Sequence, residues 1–209
     1  MKYRFRDFRI TRTCTKRYSD YHSYKNALSE DFKHRCAYCN LLDTQITTPF
    51  EIDHYIPERA FTDVWPELKT TYSNLIYSCK KCNIAKSNQY EGDIIQREIV
   101  NELFYDPVQV DYDTIFYRNE TGRICSDDNK GRDMIKRLKL YRPIHNLAWI
   151  CDIALKTLEK MDAQINSNEN NSERAKLLRE AKEELNDYYI TCNNTFTANY
   201  NNEKFKFLD

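Results

Sequence analysis

Glycine and proline are scarce in this chain, at three and five among 209 residues. So few backbone hinges exclude long flexible linkers and favour helical segments. No apolar run approaches the roughly 20 residues needed to cross a bilayer, and the opening residues lack the continuous hydrophobic stretch of a secretory leader. A cytoplasmic location is the expectation. Neither sign of charge is in surplus: 32 basic residues meet 32 acidic ones, for a formal net charge of zero. Affinity for a polyanion would therefore have to come from local clusters rather than from the chain as a whole.

Apolar residues supply 41% of the chain and aromatics 13%, enough for a hydrophobic interior and too much for a disordered polymer. The length allows one domain, or a compact core with an added lobe. Basic residues cluster twice. Residues 1 to 17 carry Lys2, Arg4, Arg6, Arg9, Arg12, Lys16 and Arg17 against Asp7 alone, and residues 132 to 142 carry Arg132, Lys136, Arg137, Lys139 and Arg142 against Asp133. Alternation through Lys2, Tyr3, Arg4, Phe5 and Arg6 predicts a strand with one basic and one aromatic face. Arg4 and Arg6 on the basic face could track a phosphate backbone, or the strand could be an ordinary solvated edge.

Four segments follow from the pattern: a basic strand and helix over 1–35, a cysteine-bounded core over 36–90, a connecting segment with a β-hairpin over 91–130, and a helical lobe over 131–209. Tyr24, Leu28 and Phe32 recur at four-residue spacing and predict a helix over 21–34. Residues 50–55 are apolar and β-prone, with Pro57 closing the strand, and Leu75 to Tyr77 reads as a returning strand. Residues 83–89 suit a short helix, and Gly122 suits a turn between strands 114–117 and 123–125. Leu147, Cys151, Ala154, Leu158, Met161 and Ile165 form a helical stripe. Asparagines at 166, 168, 170 and 171 interrupt it, and a second helix resumes through Leu178, Ala181, Leu185 and Tyr189. The class is α+β, mainly helical.

The eight cysteines, in a reducing compartment, favour metal binding or free thiols over disulfides. Cys36 and Cys39 form one pair with two intervening residues, Cys79 and Cys82 another. Each pair puts two thiolates on one tight turn, and two such knuckles complete a tetrahedral zinc site with no position left for water. Zinc there would be structural. Isolated redox motifs or buried thiols are the alternative reading. Residues 40 to 78 separate the pairs, more than the roughly 15 to 20 of a simple ribbon, so the gap houses something else. Cys14, Cys125, Cys151 and Cys192 are left over, and none is assigned to chemistry.

Inside the gap lie Asp53 and His54. A neutral imidazole held at a strand end can take a proton from water near neutral pH. Asp53 offers a carboxylate and Asn83 a carbonyl oxygen, and oxygen donors suit a hard cation, Mg²⁺ or Mn²⁺. The shared zinc would bring Asn83 close to His54. Asn74 precedes the returning strand, where it could tie the loop, orient the imidazole, or simply satisfy the turn. Lys86, one helical turn after Asn83, and Lys80 and Lys81 in the second knuckle could meet phosphates or face solvent.

The run C-A-Y-C, I-D-H-Y-I-P and Y-S-N-L-I-Y-S-C-K-K-C-N-I-A-K resembles the HNH endonucleases, with their ββα-metal core of two strands, a connecting loop and a helix. That resemblance implies a DNA-cleaving enzyme with His54 as general base, Asn74 as the central asparagine, and Asn83 at the last motif position, an H-N-N variant. The HNH domain of RNA-guided CRISPR nucleases is similar in placing an aspartate before the base and an asparagine as metal ligand. Asp53 and Asn83 match those positions. Leu103 to Pro107, the Gly122 hairpin and residues 135 to 140 resemble stand-alone HNH proteins of bacterial defence loci, including the nuclease partner of the ATPase in Septu-type antiphage systems, which implies an ATPase partner. The rival reading is a noncatalytic zinc-knuckle module that binds nucleic acid or joins a complex.

Overall fold

A stripe of Tyr24, Leu28 and Phe32, all buried, organises the first part of a computed structural model of the chain, which describes residues 1–44, 47–167 and 172–202. The chain divides into two units, Met1–Arg142 and Pro143–Asp209. The expected divisions at 35, 90 and 130 fall inside the first.

In the first unit, strand β1 (Tyr3–Arg4) is followed by a 3-10 turn at Tyr21–Tyr24 that runs into helix α1 (Lys25–Asp31). Asp20 caps that turn by accepting from the His22 amide. Strand β2 (Glu51–His54) pairs antiparallel with β3 (Leu75–Ser78), with Asp53 opposite Ile76 and His54 opposite Leu75. Between them lie Pro57, the short helix α2 (Glu58–Phe61) and two 3-10 turns. Every residue of β3 is buried. Helix α1 packs on β3, and helix α3 (Lys80–Lys86) packs on β2. Each fully buried leucine or phenylalanine here contributes about 1.5–3 kcal/mol.

The α3 helix starts three residues earlier than the sequence predicts, because the second cysteine pair is wound into its first turn. Cys82 and Asn83 amides both donate to the Cys79 carbonyl at 3.0 Å. It ends at Lys86, and Ser87 adopts a positive φ of 48°.

Strands β4 (Tyr117–Arg118) and β5 (Ile124–Cys125) make a hairpin, shorter than predicted because residues 112–114 form a 3-10 turn. Gly122 takes a φ of 75°, which the tight turn requires. The β1 strand joins the hairpin along β4, with Tyr3 opposite Arg118. It has two residues, not the five the alternation predicts, since Phe5 and Arg6 turn inward. Helix α4 (Asn129–Arg137) closes the unit, capped by Asp128 accepting from the Gly131 amide at 2.6 Å.

In the second unit, helices α5 (Pro143–Ser167) and α6 (Ser172–Asn199) pack along one another. Ile144, Cys151, Ala154, Leu158 and Ile165 are buried on α5, and Ala175, Cys192 and Phe196 on α6. Of the stripe expected on α6, Leu178, Leu185 and Tyr189 are half-buried and Ala181 is exposed. Helix α5 continues through Asn166; Asn168, Asn170 and Asn171 lie outside the described residues. No helix among the described residues is long and apolar enough to cross a membrane.

Candidate zinc centre and nuclease site

The first cysteine pair sits on a turn that Asn40 makes possible by taking a φ of 64°. Its amide donates to the Cys36 carbonyl at 2.9 Å. The Ala37 amide donates to the Tyr77 carbonyl at 2.9 Å, hooking this turn to β3, which leads directly into the second pair. The four sulfurs of Cys36, Cys39, Cys79 and Cys82 are all buried and lie within 4.8 Å of one another. Cys39 and Cys79 sulfurs are 3.8 Å apart. A Zn–S bond of about 2.3 Å makes the edge of a tetrahedron about 3.8 Å, so the donor set and spacing could hold zinc. Hydrogen bonding with Cys36 and Cys39, reinforced by burial, pushes the Cys79 and Cys82 thiols well above their ordinary range.

Two guanidinium groups are buried against this cluster. Arg6 donates to the Ala37 carbonyl inside the first pair. Arg118 donates to the Cys39 carbonyl at 2.9 Å and to Gly122 at 2.8 Å. Burial pulls the Arg6 pKa down, while Tyr112 and the Cys36 and Cys39 sulfurs act the other way. Zinc bound by four thiolates would carry a net charge of about −2, which two nearby guanidiniums would offset. Arg6 is buried, so its guanidinium is not presented to a phosphate. Arg4 is likewise engaged, by Asp113 at 2.9 Å.

His54 stands at the end of β2 with its side chain 8% exposed. Its Nε2 lies 2.9 Å from the Lys69 carbonyl oxygen, and its Nδ1 3.5 Å from Glu58 Oε1. A carbonyl only accepts, so Nε2 carries the proton and Nδ1 keeps its lone pair. Tyr21 meets the ring edge-on at 4.8 Å, and Phe61 lies 5.8 Å away. Burial lowers the His54 pKa from its ordinary value, partly opposed by the Lys69 carbonyl and by Glu58. The imidazole is thus held neutral and oriented.

Asp53, next in the strand, turns to the opposite side, where α3 packs. Its Oδ2 accepts from the Tyr38 hydroxyl at 2.7 Å and its Oδ1 from Lys86 Nζ at 3.0 Å. Lys86 also donates to the His54 carbonyl at 2.7 Å and is 0% exposed. These contacts correct two expectations. Lys86 is interior and cannot meet a phosphate. Asp53 is 6% exposed, has a protein donor on each oxygen, and sits beside a buried ammonium that would repel a dication.

Asn83 donates instead to Glu51 Oε2 at 2.7 Å. Glu51 precedes Asp53 by two residues and so shares its strand face. Both Glu51 and Asn83 are half-buried. A carboxylate and a carboxamide side by side could hold a hard cation, with Glu51 rather than the buried Asp53 as the carboxylate. The strand period was the available signal for Glu51.

Asn74 is fully buried. Its Oδ1 accepts from the Ile56 amide at 2.8 Å, and its Nδ2 donates to the Ile56 and Leu68 carbonyls at 3.2 and 3.4 Å. It ties the loop that presents the Lys69 carbonyl to His54. It bonds to the loop rather than to the imidazole, so any action on the ring would be indirect. Lys80 is exposed, and Lys81 is half-buried on the same helix. Glu58, Lys69, Tyr38 and Arg118 carried no sequence signal, since each acts across the fold or through its backbone.

Comparison with known proteins converges on the same stretch. Residues 36–89 match the family model described as HNH endonuclease. The Septu protein PtuB of Bacillus thuringiensis is 30% identical over 83 residues, which cover 40% of this chain and 30% of that relative's length. No solved structure matches. The paired strands, the helix behind them and the four-cysteine cluster all fall within the matched residues: positions 36–89 are an HNH domain.

Proposed function

We propose that this protein is an HNH endonuclease that hydrolyses DNA phosphodiester bonds, serving antiphage defence with an ATPase partner. The observation that carries the reading is the placement of His54, whose Nε2 lies 2.9 Å from the Lys69 carbonyl oxygen, so that in the neutral ring Nε2 is the donor and Nδ1, 3.5 Å from Glu58, is the basic nitrogen. In this reading Nδ1 takes the proton of a water that attacks phosphorus, and the 3′-oxygen leaves. Lys69, whose half-exposed side chain is paired with Glu58 at 3.1 Å, would exchange that carboxylate for the phosphate. Glu51 and Asn83 would hold Mg²⁺ or Mn²⁺, which would supply charge neutralisation of the phosphate and the leaving oxygen.

The defence role and the partner are supported by the likeness to the Septu protein. The charge inventory agrees. Of the basic residues in 1–17, Lys2 and Arg4 are ion-paired, Arg6 is buried, and Arg12 is spent on the carbonyls of Tyr72, Ser73 and Leu75. A nuclease with no net positive charge benefits from a partner that raises its local concentration on DNA.

The test is supercoiled plasmid with Mg²⁺ or Mn²⁺, wild type beside His54→Ala, with a candidate ATPase partner supplied in a second arm. Cutting by wild type and loss of about 10²–10⁴-fold in the variant, with zinc content unchanged, is expected. Plasmid binding without cutting in both arms would return the noncatalytic zinc-knuckle reading.

A further inference from the structure

The mouth of the His54 site carries an aromatic stack that the hydrolytic chemistry does not use. Tyr21 and His22 rings are stacked, with centroids 4.0 Å apart and planes 30° apart. Tyr21 in turn touches His54 edge-on at 4.8 Å. His22 is held in place twice by Asp20, whose Oδ1 accepts from the His22 amide at 3.0 Å and meets its Nδ1 at 2.8 Å. Its side chain is nevertheless 69% exposed. An exposed ring whose orientation is locked at both ends is unusual: ordering it costs side-chain entropy that solvent exposure does not repay. Positive charge adjoins it, with Lys69 Nζ 5.9 Å from the Tyr21 ring centroid.

Flat, oriented rings beside a half-exposed lysine, here Lys69 in its pair with Glu58, are how proteins hold an unpaired base. Bases inside a duplex are already stacked on their neighbours and cannot reach such a surface without being extruded. Resting on the reading of His54 as general base, we infer that Tyr21 and His22 form a stacking platform for an unpaired nucleotide next to the scissile phosphate. The preferred substrate is then a single-stranded segment of DNA, such as a gap, overhang or bubble, rather than intact duplex.

The experiment uses the full-length, zinc-loaded chain and a single-stranded oligonucleotide carrying 2-aminopurine at one position, whose fluorescence falls on stacking. Binding is measured without added divalent cation, so that no cutting occurs. Quenching by wild type is expected, with affinity about tenfold weaker in His22→Ala and in Tyr21→Leu, both with unchanged circular dichroism and zinc content. In a fully paired duplex the label is already quenched by its stacked neighbours, and adding the protein is expected to leave that signal unchanged. In the cutting assay, wild type is expected to favour the single strand over duplex, and His22→Ala to narrow that preference. Equal quenching by wild type and both variants, or efficient cutting of intact duplex with no single-strand preference, would overturn the platform while leaving His54 chemistry standing. Loss of all cutting on every substrate would instead strike at the nuclease reading itself, and the quenching result would still decide the platform.

Discussion

Lys86 Nζ lies 3.0 Å from Asp53 Oδ1 and 2.7 Å from the His54 carbonyl oxygen, with no solvent exposure. One buried ammonium therefore fixes both the carboxylate and the backbone of the residue that follows it. Tyr38 completes the group from within the first cysteine pair, so the zinc turn, β2 and α3 meet at Asp53.

Removing one partner of this pair should cost more than removing both. Lys86→Met leaves a buried carboxylate uncompensated and is expected to destabilise the first unit by about 3–5 kcal/mol. Asp53→Asn with Lys86→Met should recover part of that loss. Urea midpoints of the two single variants and the double variant measure the coupling. Strictly additive losses would show that the ion pair is not the organising contact.

Zinc retention should depend on the two buried arginines. Arg118→Met and Arg6→Met keep side-chain volume while removing one of the charges that offset four thiolates, and each is expected to weaken zinc binding about tenfold. Competition with a chromogenic chelator reads this directly. In the wild type, full zinc removal should unfold residues 36–89 with loss of far-ultraviolet ellipticity; an unchanged spectrum after complete removal would contradict a structural metal.

The pH profile follows from the burial of His54. Its pKa is lowered from the ordinary 6.5, so the imidazole stays neutral to more acid pH than a free histidine. The acid limb of kcat/KM should lie below pH 6.5, and Glu58→Gln, which removes a group that raises the pKa, should move it lower still. Stability has the same sign: the unfolded chain takes up this proton at higher pH than the folded one, so the contribution is present above about pH 6.5 and is lost as pH falls. A limb displaced upward would be incompatible with burial as the dominant cause.

Asn74→Ala should impair both stability and rate. It strips partners from the Ile56 amide and carbonyl and from Leu68, an expected loss of about 1–3 kcal/mol. The loop that offers the Lys69 carbonyl is loosened, so kcat should fall more than KM changes. Thermal melts and steady-state kinetics separate the two effects; a normal kcat in a destabilised variant would confine Asn74 to holding the loop.

Much of the core was legible in the chain. The i, i+4 stripe of Tyr24, Leu28 and Phe32 foretold α1, and the apolar run before Pro57 foretold β2, because local periodicity reflects burial on one side of an element. The spacing of the four cysteines foretold their convergence, since only one coordination geometry suits two such pairs. The helix start was misjudged because a cysteine knuckle and a first helical turn look alike in sequence.

What the sequence by itself determined was the four converging cysteines and an imidazole at a strand end. Tertiary structure alone decided which charged side chains are spoken for. Lys86 and Asp53 are 33 residues apart, and Arg118 and Cys39 are 79 apart. No periodicity records a pairing across such separations, because the decisive quantity is the cost of burying one charge without another. That cost drew Lys86 to Asp53, while the buried Arg6 and Arg118 found backbone carbonyls within and beside the first cysteine pair. Glu51 beside Asn83 was left as the half-exposed oxygen pair.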